Sequence, residues 1–170
     1  MEARSAAVCL LMVVSLAAPG FADTTLTLML IKPDALDKAE EIKHELAGSG
    51  FSILNYHECS LDGEAIAQFY AEHKGKSFFN ELLGYMGGRQ LAAMVLEGDN
   101  AVTRIRDMLG PTDPTQARQT HPSSLRARFG KTMTANGIHA SDSEEAALRE
   151  IEYFFPSRAK EMKAEMKDEL

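Results

Sequence analysis

The sequence predicts a ferredoxin-like α/β (α+β) sandwich, in which helices cover a four-stranded antiparallel sheet and a few short helices are added. Two observations predict this fold class. Strand-like and helical segments follow one another in the order βαββαβ, and no internal repeat, low-complexity block or long linker interrupts residues 24–156. With 170 residues, 45% of them hydrophobic, the chain is long enough for one compact domain with a substantial core.

The first half of this domain is expected to contain two strands. The stretch TLTLMLI alternates and then becomes apolar, which is typical of a central strand ending at Lys32. Asp34 is expected to cap the following helix, AEEIKHELAG, which ends at Gly48. The segment FSILNYHEC is rich in β-branched and aromatic residues and predicts the second strand. Asp62 is expected to cap the next helix, and a short helix follows over residues 77–85.

The second half is expected to supply the other two strands. The continuous apolar run QLAAMVLEG predicts a strand buried on both faces, and Asp99 opens a helix that ends at Gly110. A loop rich in Pro and Thr is predicted for residues 111–122, followed by a brief helix. The last short strand leads to His139, and the last helix covers about residues 142–153, with one buried apolar face.

Composition limits the partners of this domain. The net charge of −7 provides no basic field for nucleic acid or for an anionic membrane surface, so neither is expected as a partner. An anionic small molecule would have to be bound by a local cluster of cations. The two cysteines are Cys9 and Cys59, and cleavage of the chain between them would leave one thiol and no intrachain disulfide.

The N-terminal segment predicts a secretory signal peptide over residues 1–22. An apolar run covers residues 6–18 after Arg4, and the small residues Gly20 and Ala22 suit cleavage after Ala22. This run is shorter than the roughly 20 apolar residues that span a membrane, so no stable membrane insertion is expected. An uncleaved anchor and a buried N-terminal helix are the alternatives.

The C-terminal segment, residues 158–170, is a charged tail that ends in KDEL. A tail of this composition is expected to form a loosely held helix or to be disordered. Combined with a signal peptide, KDEL predicts binding to a retrieval receptor and residence in the lumen of the endoplasmic reticulum. The alternative is a periplasmic or secreted protein whose tail matches by chance. Residues 23–157 form the globular domain in either case.

The stretch NGIHASDSEEAALREIE contains the most informative histidine of the chain. It places His139 at the end of a short apolar segment, immediately before a helix start. Ser141 and Asp142 are expected to cap this helix, and Glu144 and Glu145 place negative charge where the helix dipole favours it. A histidine on a rigid strand-to-helix junction is held in one direction, as a nucleophile requires. On local grounds, an ordinary surface histidine beside a capped helix is the alternative.

Five segments of the chain occur in order and at compatible spacing: TLTLMLIKPDAL, FYAEHKGKSFF, AAMVLEGDNAVTRIRDMLGPTDP, HPSSLRARFG and NGIHASDS. Together they resemble the nucleoside diphosphate kinase family from about Thr25 to Phe155. IKPD and IHASDS are the most specific of these elements. The resemblance implies an enzyme that transfers the γ-phosphate of a nucleoside triphosphate to a nucleoside diphosphate through a phosphorylated histidine.

The resemblance also implies roles for the residues around that histidine. His139 matches the phosphorylated residue, Glu150 matches the carboxylate that orients its ring, and Ser141 matches the serine that holds this carboxylate. Lys32 and Tyr70 match a lysine and a tyrosine hydroxyl near the γ-phosphate. The other four histidines are expected to be surface or packing residues. Mg²⁺ is expected to arrive with the nucleotide, without a metal cage of protein side chains.

The remaining positions of the family's nucleotide site hold matching residue types. Arginine can bind two phosphate oxygens at once, lysine acts as a point charge, and an aromatic ring offers its face to any base. The matching residues are Lys32, Arg106 and Arg126 for the phosphates and sugar, Thr112 and Asn136 for phosphate and ribose, and Phe78, with Leu82 beside it, for stacking of the base.

Departures from the family pattern bear on activity and assembly. Ala140 and Ala35 stand where the family usually has glycine, and the methyl group of Ala140 would cost activity if that backbone needed a positive φ or a close approach. The loop at residues 115–121 is longer than in standard members of the family. In those members this loop helps to build the contacts between subunits. The resemblance therefore implies a possible homo-oligomer, but the longer loop argues against the usual hexamer.

Two other functions are compatible with the same residues. A catalytically weak protein could keep the pocket for nucleotide binding or as a scaffold, and divergent members of the family with a longer loop are often weak. A protein phosphotransferase would share the first half-reaction and would pass the phosphoryl group from His139 to another protein.

Overall fold

The computed structural model of the protein describes residues 24–168. Its strands are β1 (Thr24–Ile31), β2 (Ser52–Ser60), β3 (Gln90–Asp99) and β4 (Ile138–Ala140). They form one sheet in the order β2-β3-β1-β4, and every neighbouring pair is antiparallel. The predicted ferredoxin-like α+β sandwich with a four-stranded antiparallel sheet is therefore confirmed.

Helices cover the sheet and fill the connections between its strands. The α-helices of residues 24–168 are α1 (Ala39–Gly48), α2 (Gly63–Phe69), α3 (Phe79–Met86), α4 (Ala101–Leu109), α5 (Pro114–Thr120), α6 (Leu125–Phe129), α7 (Glu144–Phe154) and α8 (Pro156–Asp168). Within this range, none of them combines the length and the apolar character that a membrane crossing requires.

The sheet separates two hydrophobic cores. On one face, Met29 of β1 belongs to a buried cluster with Ile42 of α1, and on the other face Leu28 belongs to a cluster with Ile66 of α2. Successive residues of β1 thus point to opposite cores, as strand geometry requires. In β3, all side chains of residues 91–96 are buried, which confirms the prediction of a strand covered on both faces.

The segment after β1 differs from the prediction, because Asp34 does not cap α1. A 3₁₀ turn over Leu36–Lys38 comes first, and it moves the start of α1 beyond the reach of the Asp34 side chain. The carboxylate of Asp34 instead accepts hydrogen bonds from the Tyr85 hydroxyl and from the Gly137 N–H. The helix ends at Gly48, as predicted.

Two other predicted caps have different outcomes. Asp62 caps α2 as predicted, since its carboxylate accepts the Ala65 N–H at 2.8 Å. Asp99 is the last residue of β3 and does not cap α4. The first N–H of α4, from Ala101, donates instead to the Thr25 hydroxyl oxygen at 2.8 Å. A contact with the neighbouring strand therefore replaces a local cap.

The longer loop was predicted to be irregular, and this prediction is wrong because the loop contains α5. Asp113 caps the helix by accepting the Thr115 N–H at 2.8 Å. Pro114 occupies the first helical position, where the missing N–H costs no hydrogen bond. The proline that favoured a loop at the sequence level therefore begins a helix.

Arg118 fastens α5 to α6. Its guanidinium donates to the carbonyls of Ala127 at 3.3 Å and Gly130 at 3.1 Å, at the C-terminal end of α6. A Cβ atom on Gly130 would lie 2.6 Å from Cγ of Pro114, so this close approach of the two helices requires glycine. The inserted residues thus form an ordered element with its own attachments.

The cap of α7 also differs from the prediction. Ser143, which has an extended backbone, accepts the Ala146 N–H at 3.1 Å, whereas Ser141 and Asp142 were expected to cap this helix. The helix begins at Glu144, two residues later than expected, so Ser141 directly follows β4 and is fully buried.

The charged tail is helical as far as Asp168. In α8, Ala159 and Met162 are buried in the second core, so the start of this helix is packed against the domain and is not loosely held. The predicted signal peptide, residues 1–22, lies outside the described residues. The same is true of the last two residues of the KDEL sequence.

Candidate functional site

A pocket of about 350 Å³ opens where the end of β1, helices α3, α4 and α6, and the loop before β4 meet. Its volume falls in the range of small-molecule sites. Every sequence-predicted site residue lines it except Ser141, which lies behind it. The lining residues that the sequence predicted are Lys32, Tyr70, Phe78, Leu82, Arg106, Thr112, Arg126, Asn136, His139 and Glu150.

His139 lies in the middle of β4, and its ring is held on two sides. Its Nε2 atom is 2.9 Å from Oε2 of Glu150 on α7. The rings of Phe69 and Tyr70 contact the imidazole edge to face, with centroid distances of 5.5 and 5.6 Å. A neutral imidazole carries one N–H, and a proton shared between Nε2 and the carboxylate leaves the lone pair on Nδ1. One ring nitrogen is therefore held, and the other can act as a nucleophile.

Ser141 connects this pair to the sheet. Its hydroxyl donates to Oε2 of Glu150 at 2.7 Å and accepts the N–H of Leu28 at 3.2 Å. Its own N–H donates to the Leu28 carbonyl at 3.1 Å. Because Ser141 is fully buried between β1 and α7, the direction of the Glu150 carboxylate is set by the central strand.

Lys32 follows β1 directly and is 6% exposed. Its Nζ donates to Oδ1 of Asn136 at 2.8 Å and to the carbonyl of Thr134 at 3.3 Å. Burial lowers the pKa of Lys32 to about 8, with a further contribution from the positive charge of Arg126, while the carboxylate of Asp34 opposes this shift. A bound anion would favour the charged ammonium form, so this site is suited to phosphate.

Arg126 on α6 is the second cation of the pocket and is half-buried. Its guanidinium donates to the carbonyls of Gly110 at 3.0 Å and Ile138 at 3.2 Å. Burial, followed by the charge of Arg106, lowers the pKa of Arg126 to about 10. Carbonyl oxygens orient the guanidinium without neutralising it. Together with Lys32, these arginines form the local cluster of cations that a chain of net charge −7 needs to bind an anion.

Tyr70 places a buried hydroxyl at the wall of the pocket. Within the described part of the chain this hydroxyl has no hydrogen-bond partner. Burial, with the charge of Glu150 as the next contribution, raises the pKa of Tyr70 well above its usual value, so the hydroxyl keeps its proton. An unpaired buried hydroxyl costs about 1–3 kcal/mol. A ligand oxygen in the pocket would supply the missing acceptor.

The mouth of the pocket is apolar and open to solvent. Phe78 is 40% exposed and Met133 is 56% exposed, and both line the opening, whereas Leu82 beneath them is buried. A large exposed apolar surface at an opening is suited to a flat apolar ligand group. Met133 was not predicted, because it lies in a polar loop without periodicity. The only feature of the sequence that could have indicated a role for Met133 is its large apolar side chain in a segment of mainly polar residues.

His73 also lines the pocket, although the sequence connected it with surface or packing positions only. Its ring stacks on Tyr70 at a centroid distance of 5.7 Å and meets Phe78 edge to face at 5.5 Å. Burial, with the nearby charge of Lys76 as the next contribution, lowers its pKa. His73 therefore packs the wall between the inner end and the mouth.

The alanine at position 140 does not distort the site. Ala140 is buried in β4, where it pairs with Met29 of β1. Among the residues from 24 to 168, Asn100 is the only non-glycine residue with a positive φ, so the backbone of Ala140 has an ordinary conformation. Of the two conditions under which its methyl group would cost activity, the need for a positive φ is therefore not met, and the close approach of a ligand to this position, which lines the pocket, stays a prediction.

The pocket has no preformed metal cage. Groups of three or more His, Cys, Asp or Glu side chains that could hold a metal ion are absent from the described residues. Two exposed carboxylates, Glu72 and Asp142, line the pocket. Two oxygen donors fit a Mg²⁺ ion that takes its other ligands from phosphate and water, which is the usual way in which this ion is bound.

A family model described as nucleoside diphosphate kinase matches residues 25–160 of the chain. Nucleoside diphosphate kinase homolog 5 from Mus musculus is 41% identical over 131 residues, which cover 77% of this chain and 62% of the mouse protein. The chain thus spans less than two thirds of the length of this curated relative.

Solved structures of the same kind also match. A nucleoside diphosphate kinase from Aquifex aeolicus superposes with a TM-score of 0.75 at 38% identity, covering 78% of this chain and 96% of that chain. A halophilic nucleoside diphosphate kinase from Halobacterium salinarum, solved in complex with CDP, gives a TM-score of 0.73 at 30% identity and covers 81% and 91% of the two chains.

Proposed function

The chain belongs to the nucleoside diphosphate kinase family, and from this premise we propose that it transfers the γ-phosphoryl group of a nucleoside triphosphate to a nucleoside diphosphate through His139. One observation carries the proposal. Nε2 of His139 is held by Glu150 at 2.9 Å, while the same ring lines a pocket that contains three cationic side chains. Phosphoryl transfer depends mainly on positioning and on stabilisation of phosphate charge, and this pocket provides for both.

In the first half-reaction, the lone pair on Nδ1 of His139 attacks the γ-phosphorus. The bond between this phosphorus and the oxygen bridging to the β-phosphate breaks, and the nucleoside diphosphate leaves with the bond electrons. The imidazole gains positive charge as the P–N bond forms. The Glu150 carboxylate at Nε2 stabilises this charge and sets the tautomer that can attack.

In the second half-reaction, another nucleoside diphosphate binds in the same pocket. Its terminal phosphate oxygen attacks the phosphorus on His139, the P–N bond breaks, and its electrons return to Nδ1. The ring is then neutral again and protonated on Nε2. Because the first product leaves before the second substrate binds, ping-pong kinetics are expected.

The polar groups at the inner end of the pocket are assigned to the phosphates. Lys32, Arg106 and Arg126 would bind the phosphate oxygens, which removes the repulsion between three cations in one pocket. The hydroxyl of Tyr70, which lacks a partner in the described structure, would donate to an oxygen of the transferred group. Binding of the triphosphate would thus supply the acceptor that the Tyr70 hydroxyl lacks and negative charge for the three cations.

Mg²⁺ is proposed to enter with the nucleotide. When bound, it neutralises charge on the phosphates. Glu72 and Asp142 are the residues of this chain that would hold it, because they are the carboxylates that line the pocket apart from Glu150. The Glu150 carboxylate is already bound to His139 and Ser141.

The sugar and base would lie towards the mouth. The side-chain amide of Asn136 donates a hydrogen bond to the Thr112 carbonyl at 3.2 Å. Both residues line the pocket and would lie between the phosphates and the base on Phe78. A base stacked on Phe78 would be bound by its face. We therefore expect the protein to accept several bases and both sugars, and the CDP complex of the halophilic relative supports a nucleotide as ligand.

The decisive test is to incubate the purified protein with γ-labelled ATP and Mg²⁺. The wild type should acquire a label that is labile in acid and stable in base, as a phosphohistidine is, and His139→Ala should acquire none. Added UDP should then remove the label and yield UTP. Label that forms but does not pass to UDP would favour a protein phosphotransferase, and the absence of label would favour a nucleotide-binding scaffold.

We also propose that the protein resides in the lumen of the endoplasmic reticulum, with residues 1–22 as its signal peptide and KDEL as its retrieval sequence. Expression of the full chain with an internal tag in a eukaryotic cell tests this. Lumenal localisation is expected for the wild type. Deletion of residues 167–170 should release the protein into the medium, and cytosolic staining of the wild type would contradict the proposal.

A further inference from the structure

The carboxylate of Asp34 lies where the end of β1, helix α3 and the loop before β4 meet. One of its oxygens accepts a hydrogen bond from the hydroxyl of Tyr85, on α3, and the other accepts the Gly137 N–H at 3.0 Å. The N–H of Asp34 donates to the Tyr85 hydroxyl oxygen at 3.1 Å. Asp34 does not line the pocket, and none of the proposed transfer steps uses it.

Gly137 is held from two sides by the turn that follows β1. Its N–H donates to Asp34, and its carbonyl accepts the N–H of Lys32 at 2.8 Å. With a φ of +78°, this position favours glycine, so it has no side chain that could anchor the loop. At Gly137 itself, the position of the loop is therefore set by these two hydrogen bonds, one to the Asp34 carboxylate and one from the Lys32 backbone.

The residue before Gly137 carries the link to the phosphate site. Asn136 accepts a hydrogen bond from Nζ of Lys32 at 2.8 Å and donates to the carbonyl of Thr112 at 3.2 Å. A displacement of Gly137 would move Asn136 and would remove the closest partner of the Lys32 ammonium group. A continuous set of contacts thus runs from the Tyr85 hydroxyl to the cation that is assigned to the phosphates.

Asp34 also acts on Lys32 through its charge. Burial and the charge of Arg126 lower the pKa of Lys32, and Asp34 is the carboxylate that opposes them. Besides Lys32 and Arg126, the charged or titratable groups that line the same pocket are Tyr70, Glu72, His73, Arg106, His139, Asp142 and Glu150. Loss of the Asp34 charge should therefore lower the pKa of Lys32 further and shift its deprotonation to lower pH.

We propose that Asp34, held by the hydroxyl of Tyr85, is a positioning residue that fixes the loop carrying Asn136 and thereby the ammonium group of Lys32. It acts through these residues and does not contact the nucleotide. The inference rests on the proposed function, because it takes nucleotide phosphates to be the ligand of Lys32.

The test compares two variants with two matched controls. Tyr85→Phe removes the hydroxyl but keeps the Asp34 charge, whereas Asp34→Asn removes the charge and one acceptor. Tyr56→Phe is the control for the first, since the Tyr56 hydroxyl donates to Glu58 at 2.6 Å on the exposed strand β2. Asp37→Asn is the control for the second, since Asp37 is an exposed acid three positions along the same turn. ADP binding to the full chain is measured by calorimetry across a pH series, with no phosphoryl donor present.

Tyr85→Phe should raise the dissociation constant for ADP about three- to tenfold and leave its pH dependence unchanged. Asp34→Asn should raise it about tenfold or more at neutral pH, and the decline of affinity at alkaline pH should begin at a lower pH than in the wild type. Both controls should bind within about twofold of the wild type. A general loss of structure would not shift the pH profile in one variant alone.

The proposal is overturned if both variants bind ADP as their controls do. If Asp34→Asn does not fold, the result for Tyr85→Phe decides alone. A wild type that binds ADP but acquires no label from ATP would reject the proposed kinase activity and leave the comparison of variants valid. A wild type that is labelled, with variants that bind like the controls, would reject the positioning role only, and a wild type that binds no ADP would reject both.

Discussion

At the inner end of the pocket, four side chains are buried or half-buried and held by hydrogen bonds, namely Lys32, Arg126, His139 and Glu150, whereas the side chains at its mouth stand in solvent. At the inner end, Ser141 is fully buried, Lys32 is 6% exposed, and each has partners on neighbouring strands or loops. At the mouth, Phe78 and Met133 are 40% and 56% exposed, and their contribution is apolar surface.

The inner end of the pocket is therefore the part whose atoms must be placed accurately, and the mouth is the part where the position of the ligand can vary. Bond making at phosphorus requires atoms placed within a fraction of an ångström, and buried hydrogen bonds to a central strand provide such placement. A base that stacks on an exposed ring needs no matching hydrogen bonds. The structure therefore suggests strict demands on the phosphate end of a ligand and mild demands on its base.

The largest expected effect comes from a change at the inner end. Glu150→Gln keeps the size of the side chain but removes the negative charge beside Nε2 of His139, which in the proposed reaction stabilises the phosphorylated ring. The rate of His139 labelling at saturating ATP should fall about 10²- to 10³-fold, while the dissociation constant for ADP changes little. Rapid-quench labelling and calorimetry measure the two quantities. Glu152→Gln is the control, because this residue is exposed on the same helix and contacts Lys163. Equal rates for the two variants would contradict the orienting role.

The next effect concerns pH. Without a ligand, the pKa of Lys32 is about 8, and a bound phosphate favours the charged form and raises this value. Lys32 is therefore charged with and without ligand well below pH 8, and its part of the affinity for ADP is fully present there. Above about pH 8 the affinity should fall, by up to about tenfold per pH unit.

Calorimetry in buffers of different ionisation enthalpy should show proton uptake on binding near this pH. Lys32→Gln should abolish the uptake, and Lys38→Gln, which changes an exposed lysine, should retain it. Affinity that stays constant up to about pH 9 would contradict the assignment of Lys32 to the phosphates.

A smaller effect is expected at the mouth. Phe78→Ala removes the stacking surface and should raise the dissociation constant of nucleotides about five- to tenfold, nearly equally for different bases. Inorganic tripolyphosphate, which has no base, should bind the variant and the wild type equally. Leu54→Ala tests the loss of an exposed apolar side chain outside the pocket and should affect neither ligand. A loss of tripolyphosphate affinity in Phe78→Ala would show that the two regions are not separate.

The smallest effect is expected away from the pocket. Arg118→Ala removes two hydrogen bonds between α5 and α6. The melting temperature should fall by about 2–6 °C. The dissociation constant for ADP should rise by less than about threefold, because Arg126 keeps its own carbonyl partners. Arg149→Ala, at an exposed position of α7, is the control in a thermal melt. An unchanged melting temperature would mean that the hydrogen bonds of Arg118 do not stabilise the packing of α5 on α6.

Much of the fold could be predicted because its signals are local. The apolar run of β3 and the cap of α2 by Asp62 each depend on a few neighbouring residues. Asp34 was misassigned because its partners, Tyr85 and Gly137, lie 51 and 103 residues away in sequence. A short polar residue after a strand resembles a helix cap when distant partners are unknown.

The site was predicted by resemblance more than by pattern. Nothing in the periodicity of the chain connects Lys32 with Asn136 or His139 with Glu150, and only the fold brings these pairs within 2.9 Å of each other. Met133 had no matching motif and was missed for that reason. The helix α5 was missed because proline was taken as a sign of a loop, although proline is also favoured at the first position of a helix.

The contacts that hold α5 have a consequence for how the sequence of this segment can diverge. The contacts that hold α5 all lie between Gly110 and Gly130: Asp113 caps the helix at Thr115, Arg118 donates to the Gly130 carbonyl, and Pro114 packs against Gly130. Because residues of this segment are held by hydrogen bonds and packing within it, its length adds little conformational freedom and need not make the wall of the pocket more mobile. The exposed face of α5 can therefore diverge without compensating substitutions in the sheet, as long as Thr112 and Arg126 in the same segment keep their places in the pocket.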